Sequence, residues 1–128
     1  MTPVDPDDPA ALEAVHLQEL RRGTIVVASL LALRAPGYGY ALLEHLAATG
    51  FDVDGNTLYP LLRRLEAQGL LSSEWDTGES RPRKFYRTSA QGAALAERLL
   101  TESHRLANAL GQLADTPALA PSSEGDPS

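Results

Sequence analysis

Three polar side chains at helical spacing, Asn56, Tyr59 and Arg63, are the residues of this sequence best suited to recognition chemistry. An amide, a phenol and a guanidinium all form hydrogen bonds, and the guanidinium also carries a positive charge. At intervals of three and four residues they share one face of a helix, with Arg64 beside them. This combination is typical of a helix that contacts nucleic acid.

Four leucines lie on the opposite face of the same predicted helix. Leu58, Leu61, Leu62 and Leu65 follow the i, i+3, i+4, i+7 spacing of an apolar stripe, which a folded domain buries. A helix with a buried back and a hydrogen-bonding front can place its first residues against base edges in the major groove. A solvated surface helix has the same pattern, so this segment alone leaves both interpretations open.

Apolar periodicity predicts two helices before this one and so positions it within a three-helix unit. The three helices are expected over residues 20–34, residues 40–49, and residues from Asp54 or Asn56 to Gly69. Pro36 ends the first, and Gly50 is placed to form the left-handed cap of the second. Pro60 lacks an N–H and favours a late start for the third helix.

After Gly69 the periodicity changes from helical to alternating, which predicts two strands over residues 71–76 and 83–88. The segment between them is rich in turn formers, so the two strands form a hairpin. A seven-residue window at the tip and return strand of this hairpin contains four cations: Arg81, Arg83, Lys84 and Arg87. We expect Trp75, on the first strand, to pack in the small core because of the size of its indole.

A last helix, capped by Thr88 or Ser89 and continuing to about residue 113, is long for so small a domain. At 1.5 Å per residue it measures about 36 Å. It carries an apolar seam of Leu95, Leu99, Leu106, Ala109, Leu110 and Leu113. A seam that continues beyond its own domain most simply meets a second copy of the chain. Covering the first helix within one chain is the alternative.

Composition bounds the class of protein. The 128 residues include 43% hydrophobic residues and no cysteine, which excludes disulfides, thiolate metal sites and a catalytic thiol. The longest apolar run is far shorter than the ~20 residues that span a bilayer, and the acidic start does not resemble a signal peptide. We therefore expect a cytoplasmic protein with no membrane segment.

The net charge of −6 argues against a polyanionic partner until its distribution is considered. Residues 1–19 and 115–128 contain acidic side chains and no basic ones. The residues between them carry 11 basic and 9 acidic side chains, a net of +2. A basic surface is therefore compatible with an acidic protein.

Catalytic and metal-binding patterns are missing from the sequence. His16, His45 and His104 are scattered without carboxylates or cysteines at ligand spacing, and no serine has a nearby base. No glycine loop of the phosphate-binding kind is present. We expect neither an enzyme nor a cofactor or metal site.

Three helices followed by a basic hairpin is the layout of a winged helix-turn-helix domain, in which the hairpin is the wing. The predicted fold is mainly α with a small β-hairpin. It comprises a disordered acidic tail over residues 1–15, the winged domain over 17–88, a dimerisation helix over 89–113 and a second disordered tail over 114–128.

The sequence resembles the PadR-type transcriptional regulators, which are small bacterial winged-helix repressors. The resemblance rests on residues 20–24, 39–43, 55–66 and 83–88, above all on Thr-Leu-Tyr-Pro followed by Leu-Arg-Arg-Leu. It implies a homodimer that binds a double-stranded operator of twofold symmetry, usually as a repressor relieved by a small molecule or another signal. Residues 89–113 contain no aromatic side chain, which does not favour an aromatic-drug pocket on that helix.

The resemblance and the faces of the helices together define the expected DNA contacts. These are Tyr38, Tyr40, Asn56, Thr57, Tyr59, Arg63, Arg64, Arg81, Arg83 and Lys84. Thr57 lies at the edge of the polar face, so a phosphate contact or a structural hydroxyl is as consistent with its position as a base contact. The alternative function is a winged-helix module that binds protein instead of DNA. Such a module has no need for the basic cluster at the wing.

Overall fold

The computed structural model describes residues 8–78 and 81–119, which form five helices and three strands. The helices are α1 (Pro9–Arg22), α2 (Thr24–Ala32), α3 (Gly39–Ala48), α4 (Gly55–Ala67) and α5 (Ala90–Asp115). The strands are β1 (Gly37–Tyr38), β2 (Leu71–Asp76) and β3 (Arg83–Thr88). The predicted fold class, mainly helical with a small hairpin, is confirmed.

Helix α1 occupies residues that the sequence predicted to be disordered. The Asp8 side chain caps it by accepting a hydrogen bond from the N–H of Ala10, and Pro9 takes the first helical position, where a missing N–H costs little. The following alanines, leucine and glutamate are strong helix formers. The prediction of disorder over residues 1–15 is therefore wrong for residues 9–15. Residues 1–7 lie outside the described part of the chain.

The single helix predicted over residues 20–34 is two helices. Gly23 ends α1, and α2 begins at Thr24, whose hydroxyl donates a hydrogen bond to the carbonyl of Arg21. Helix α2 is buried on most sides, as its apolar sequence predicted. Its central Leu30 is fully buried.

The sheet has three antiparallel strands in the order β1-β3-β2. Strands β2 and β3 form the predicted hairpin, which we call the wing, with Leu71 opposite Thr88 and Asp76 opposite Arg83. Strand β1 pairs with β3, so that Tyr38 lies opposite Phe85. The sequence did not indicate this strand, because two residues are too few to show alternation. This pairing fixes the start of α3 beside the wing.

Helix α4 begins earlier than Pro60 indicated. Asp54 is its N-cap, and its carboxylate accepts a hydrogen bond from the N–H of Thr57 at 2.9 Å. Pro60 is consequently the sixth residue of the helix instead of lying in its first turn. Because proline has no N–H, the carbonyl of Asn56 receives no bond from it.

The core lies where α2, α3, α4 and the wing meet. It is built around fully buried leucines and closed by Tyr86 of β3. The predicted stripe of Leu58, Leu61, Leu62 and Leu65 is buried, which confirms the orientation of α4. Gly50 has a φ of 102°, so the left-handed cap after α3 is confirmed as well.

Helix α5 contributes to two compact units, which divide the chain after Glu97. Ser89 caps the helix, since its hydroxyl oxygen accepts a hydrogen bond from the N–H of Gly92 at 3.0 Å. The first turns belong to the unit that contains the wing, and there Gly92 and Ala96 are buried. The winged unit therefore reaches past residue 88, where the sequence placed its end.

Candidate nucleic-acid interface

The side of α4 opposite its buried leucines is polar and open to solvent. It carries exposed Asn56, Thr57, Tyr59, Arg63 and Arg64. The structure thus brings together on one surface all five residues that were predicted on this helix. Hydrogen-bonding groups lie in its first two turns, the part of a recognition helix that reaches base edges.

The ring of Tyr59 is seated between two glycines. A β-carbon on Gly39, at the start of α3, would lie 2.5 Å from Cε1 of Tyr59. A β-carbon on Gly55, one turn earlier in α4, would lie 2.9 Å from Cε2 of the same ring. Both distances are too short for a real side chain, so the two glycines make room for the phenol ring, and a side chain at either position would displace it.

Tyr38 and Tyr40 form an aromatic pair with Arg83 of the wing. The tyrosine rings stack with centroids 5.7 Å apart, and the Arg83 guanidinium lies 4.6 Å from the centre of the Tyr38 ring. Arg83 also donates a hydrogen bond to the Tyr40 hydroxyl at 2.9 Å. These contacts tie the first residues of α3 to the wing, so Tyr38 and Arg83 have a structural role within the chain.

The Tyr38 hydroxyl donates a hydrogen bond to the carboxylate of Asp76, at the outer end of β2. This bond raises the pKa of Tyr38 above its ordinary value and lowers the pKa of Asp76. The N–H of Gly78 also donates to Asp76 and lowers its pKa further. Asp76 is therefore ionised near neutral pH and anchors the wing to β1.

A second tie joins the wing to α4 through Glu66. The carboxylate of Glu66 accepts a hydrogen bond from the Ser73 hydroxyl and pairs with the Lys84 ammonium at 3.0 Å. The hydrogen bond from Ser73 and then the one from Lys84 hold the pKa of Glu66 below its ordinary value. Lys84, predicted as a DNA contact, is thus engaged within the chain, with 28% of its side chain exposed.

The other two cations of the wing are open to solvent. Arg81 and Arg87 are exposed, and neither has a hydrogen bond or ion pair with another described residue. Residues 79 and 80 at the tip lie outside the described part. The basic cluster is therefore divided into two cations that hold the wing in place and two that face outward.

Trp75 lies on the surface instead of in the core, so the sequence prediction was wrong. Its side chain is 63% exposed. Alternation along β2 places Leu71, Ser73 and Trp75 on one face, but Leu71 is buried and Ser73 contacts α4, whereas Trp75 lies two residues farther out. The alternating pattern identifies the face but not how far along the strand the core extends.

Residues of β1, α3, α4 and the wing line one groove of about 280 Å³. Its lining residues are Tyr38, Gly39, Tyr40, Tyr59, Trp75, Arg83, Lys84 and Tyr86. Five of these were expected DNA contacts from the sequence. Aromatic faces and two cations therefore surround a single concave surface.

The predicted dimer seam has two environments. Leu95 packs against the core of its own unit and is partly buried. Leu106, Leu110 and Leu113 are 48%, 60% and 71% exposed, and Leu99 and Ala109 are intermediate. Leu95 is thus covered largely by residues of its own chain, whereas Leu106, Leu110 and Leu113 form an exposed apolar strip.

Among residues 8–78 and 81–119, no group of three histidine, cysteine, aspartate or glutamate side chains is arranged to hold a metal ion. In the same part of the chain, none of the helices is both long enough and apolar enough to cross a membrane.

A family model described as the transcriptional regulator PadR-like family matches residues 27–98. The match covers more than half of the chain. It begins within α2, includes α3, α4 and the wing, and ends in the first turns of α5. Every residue that lines the groove falls within it.

Individual relatives agree with this match. Transcriptional regulator Rv3488 of Mycobacterium tuberculosis is 43% identical over 68 residues, which are 53% of this chain and 60% of that relative. The chain thus matches about three fifths of the length of this relative.

Two solved structures are also similar. A PadR family transcriptional regulator from Eggerthella lenta is 47% identical, with a TM-score of 0.80, over 84% of this chain and 96% of the other. A PadR-like transcription factor from Bacteroides fragilis is 29% identical, with a TM-score of 0.64, over 74% of this chain and 94% of the other.

Proposed function

The chain belongs to the PadR-like family of transcriptional regulators, and from this premise we propose that it is a homodimeric, sequence-specific DNA-binding repressor. Its release from DNA would respond to a small molecule or another signal. The family consists of transcriptional regulators and not of enzymes. The observation that carries the proposal is the exposed polar face of α4, opposite a stripe of four buried leucines.

Helix α4 is proposed to enter the major groove. Asn56 and Arg63 are exposed and carry the amide and guanidinium groups that pair with adenine and guanine edges. Tyr59 is exposed on the same face, with its ring seated in the space that Gly39 and Gly55 leave. Thr57 is exposed at the start of the helix, where a phosphate contact is as consistent as a base contact.

The wing is proposed to lie along the phosphate backbone. Arg81 and Arg87 are exposed cations and can pair with phosphates directly. Arg83 and Lys84 are proposed to contribute charge while they hold the wing against α3 and α4. Tyr40, 47% exposed beside Arg83, extends the same surface.

The exposed strip of Leu106, Leu110 and Leu113 supports a dimer. Contiguous apolar surface on a helix is typical of an interface, and two identical copies most simply satisfy each other through a twofold axis. Two copies would present two α4 helices to successive major grooves, which explains the expectation of a symmetric operator.

A gel shift with the promoter region of the protein's own gene tests the proposal. We expect Arg63→Ala and Tyr59→Ala each to weaken specific binding by about tenfold or more, since a good base contact contributes ~1–3 kcal/mol. Arg22→Ala is the matched control, because Arg22 is an exposed arginine of α1. Equal affinity of all variants would contradict the proposed role of α4.

The wing is tested in the same assay by its dependence on salt. We expect Arg81→Ala to weaken binding to every duplex alike and to reduce the slope of log affinity against log salt by about one. Lack of binding to this and neighbouring promoters at low salt would instead favour the protein-binding module.

A further inference from the structure

Trp75 is a large apolar side chain at a place where folding does not require one. Its indole is 63% exposed on the wing, and its strand partner in the register is Lys84. The Lys84 ammonium lies 6.0 Å from the centre of the indole ring, so a cation and an aromatic face are already adjacent. An indole that is mostly exposed to water contributes little to the stability of the fold, so its position favours a role in binding.

The groove beside Trp75 has walls of complementary chemistry. Tyr59 of α4 and Trp75 of β2 both line it, and Arg83 and Lys84 provide positive charge. Aromatic faces accept the apolar side of a sugar or base, and cations accept a phosphate. A deoxyribose with its phosphate combines these two properties in one unit, and it repeats along the duplex.

Contacts within the chain hold the two cations of this groove and seat its tyrosine ring. The Tyr59 ring lies in the space that Gly39 and Gly55 leave, and Glu66 pairs with the Lys84 ammonium. Arg83 is held by the hydroxyl of Tyr40. A groove between α4 and the wing with its cations held in place suits a DNA strand that passes from one to the other.

We propose that Trp75 packs its indole against the deoxyribose of one DNA strand in this groove, with the adjacent phosphate beside Arg83 and Lys84. The inference rests on the proposed DNA-binding function and adds a contact that the sequence did not indicate. It assigns Trp75 a role in affinity, through the sugar–phosphate backbone, instead of a role in the core.

The chain offers a direct probe, because Trp75 is its only tryptophan. A fluorescein-labelled duplex carrying the protein's own promoter region is titrated with protein at low salt, and anisotropy reports binding. In a parallel titration with unlabelled duplex, Trp75 emission and its quenching by acrylamide are measured. We expect emission to change and acrylamide quenching to fall at the concentrations where anisotropy rises.

The two readouts separate the possible failures. Rising anisotropy with unchanged emission and unchanged acrylamide quenching overturns the role of Trp75 and leaves the proposed function intact. Unchanged anisotropy overturns both the role of Trp75 and the proposed function.

A further titration uses thymidine monophosphate in excess in place of the duplex. We expect no protection of the indole from acrylamide, because a free nucleotide lacks the neighbouring backbone contacts. Equal protection by the nucleotide would assign the groove to a free ligand.

Substitution provides the matched comparison. We expect Trp75→Ala to weaken duplex binding by about tenfold, with an unchanged salt slope because no charge is lost. Ser72→Ala, an exposed position on the other face of β2, is expected to change affinity by less than about twofold. Circular dichroism checks that both variants fold, as the exposure of both side chains leads us to expect. Equal affinity of the two variants overturns the proposal.

Discussion

The two halves of α5 have the same secondary structure and opposite surroundings. In its first turns Gly92 and Ala96 are buried and Leu95 packs against the core. In the second half, Leu106, Leu110 and Leu113 recur with similar spacing but are 48–71% exposed. Helical periodicity therefore identifies the apolar face of a helix, but it does not tell whether that face is covered by its own chain.

The glycines in the two halves of α5 also differ in their surroundings. A β-carbon on Gly92 would lie 2.1 Å from the carbonyl oxygen of Leu70, whereas one on Gly111 meets nothing within 4 Å. The first glycine is required by a close approach between helix and backbone. The second only adds conformational freedom. The apolar side chains of the first half of α5 are thus covered within the chain, whereas those of the second half remain exposed.

The largest expected effect comes from charging the exposed half. We expect Leu106→Glu combined with Leu110→Glu to convert the proposed dimer into a monomer, as measured by sedimentation. Operator affinity should fall by about 100-fold or more, since each half-site is then bound independently. Asn108→Glu, an exposed position on the opposite side of the same turns, is the control. A double variant that stays dimeric would contradict the proposal that these leucines form the dimer interface.

Substitutions of Gly92 and Gly111 test the different surroundings of the two halves of α5 through the free energy of unfolding. We expect Gly92→Ala to lower the free energy of unfolding by about 1–3 kcal/mol or more, because a backbone oxygen occupies the place of the new methyl group. Gly111→Ala should raise it by about 0.5–1 kcal/mol. Urea unfolding at one fixed protein concentration measures both. Effects of the same sign would contradict the assigned surroundings.

Close packing in the winged unit can also be tested at Gly39. We expect Gly39→Ala to displace the Tyr59 ring and to weaken DNA binding by about tenfold, with little change in melting temperature. The atom that must move is the edge of a surface ring and not backbone. Gly23→Ala is the control, because nothing lies within 4 Å of its β-carbon. Full affinity in Gly39→Ala would mean that Tyr59 needs no fixed direction.

The smallest expected effect concerns the polar tie between the wing and α4. The pKa of Glu66 is lowered in the folded chain from its ordinary value of 4.5. The ionised carboxylate therefore stabilises the fold at pH values above that ordinary pKa. The stabilisation is lost as pH falls from there through the lowered pKa. We expect Glu66→Gln to flatten this part of the stability profile in urea unfolding. Glu74→Gln, an exposed carboxylate of β2, is the control, and identical profiles would contradict the role of Glu66.

The periodic parts of this fold could be predicted from the sequence. Four leucines at helical spacing oriented α4, and alternation with turn formers located the wing. Helix α1 was missed because its acidic, proline-bearing start masked a cap and a run of helix formers. Strand β1 was missed because its two residues gain their partner only through the fold.

The placement of the candidate residues on an exposed face could be predicted from the sequence, but their contacts could not. The exposed face of α4 follows from spacing alone. The bond of Lys84 to Glu66 and that of Tyr38 to Asp76 join residues 18 and 38 positions apart, which no local pattern brings together. The exposure of Trp75 depends on where the core stops beneath β2, and this is a property of the packed elements.

Selection of bound sequences from a random duplex library by the pure protein tests whether the chain is a dimeric, sequence-specific DNA-binding protein. We expect enrichment of two inverted half-sites with centres about one helical turn, ~10 base pairs, or a multiple of it apart. This result requires both a reading helix and a twofold dimer. Enrichment of a single asymmetric half-site would contradict the dimer, and no enrichment at all would contradict sequence-specific DNA binding.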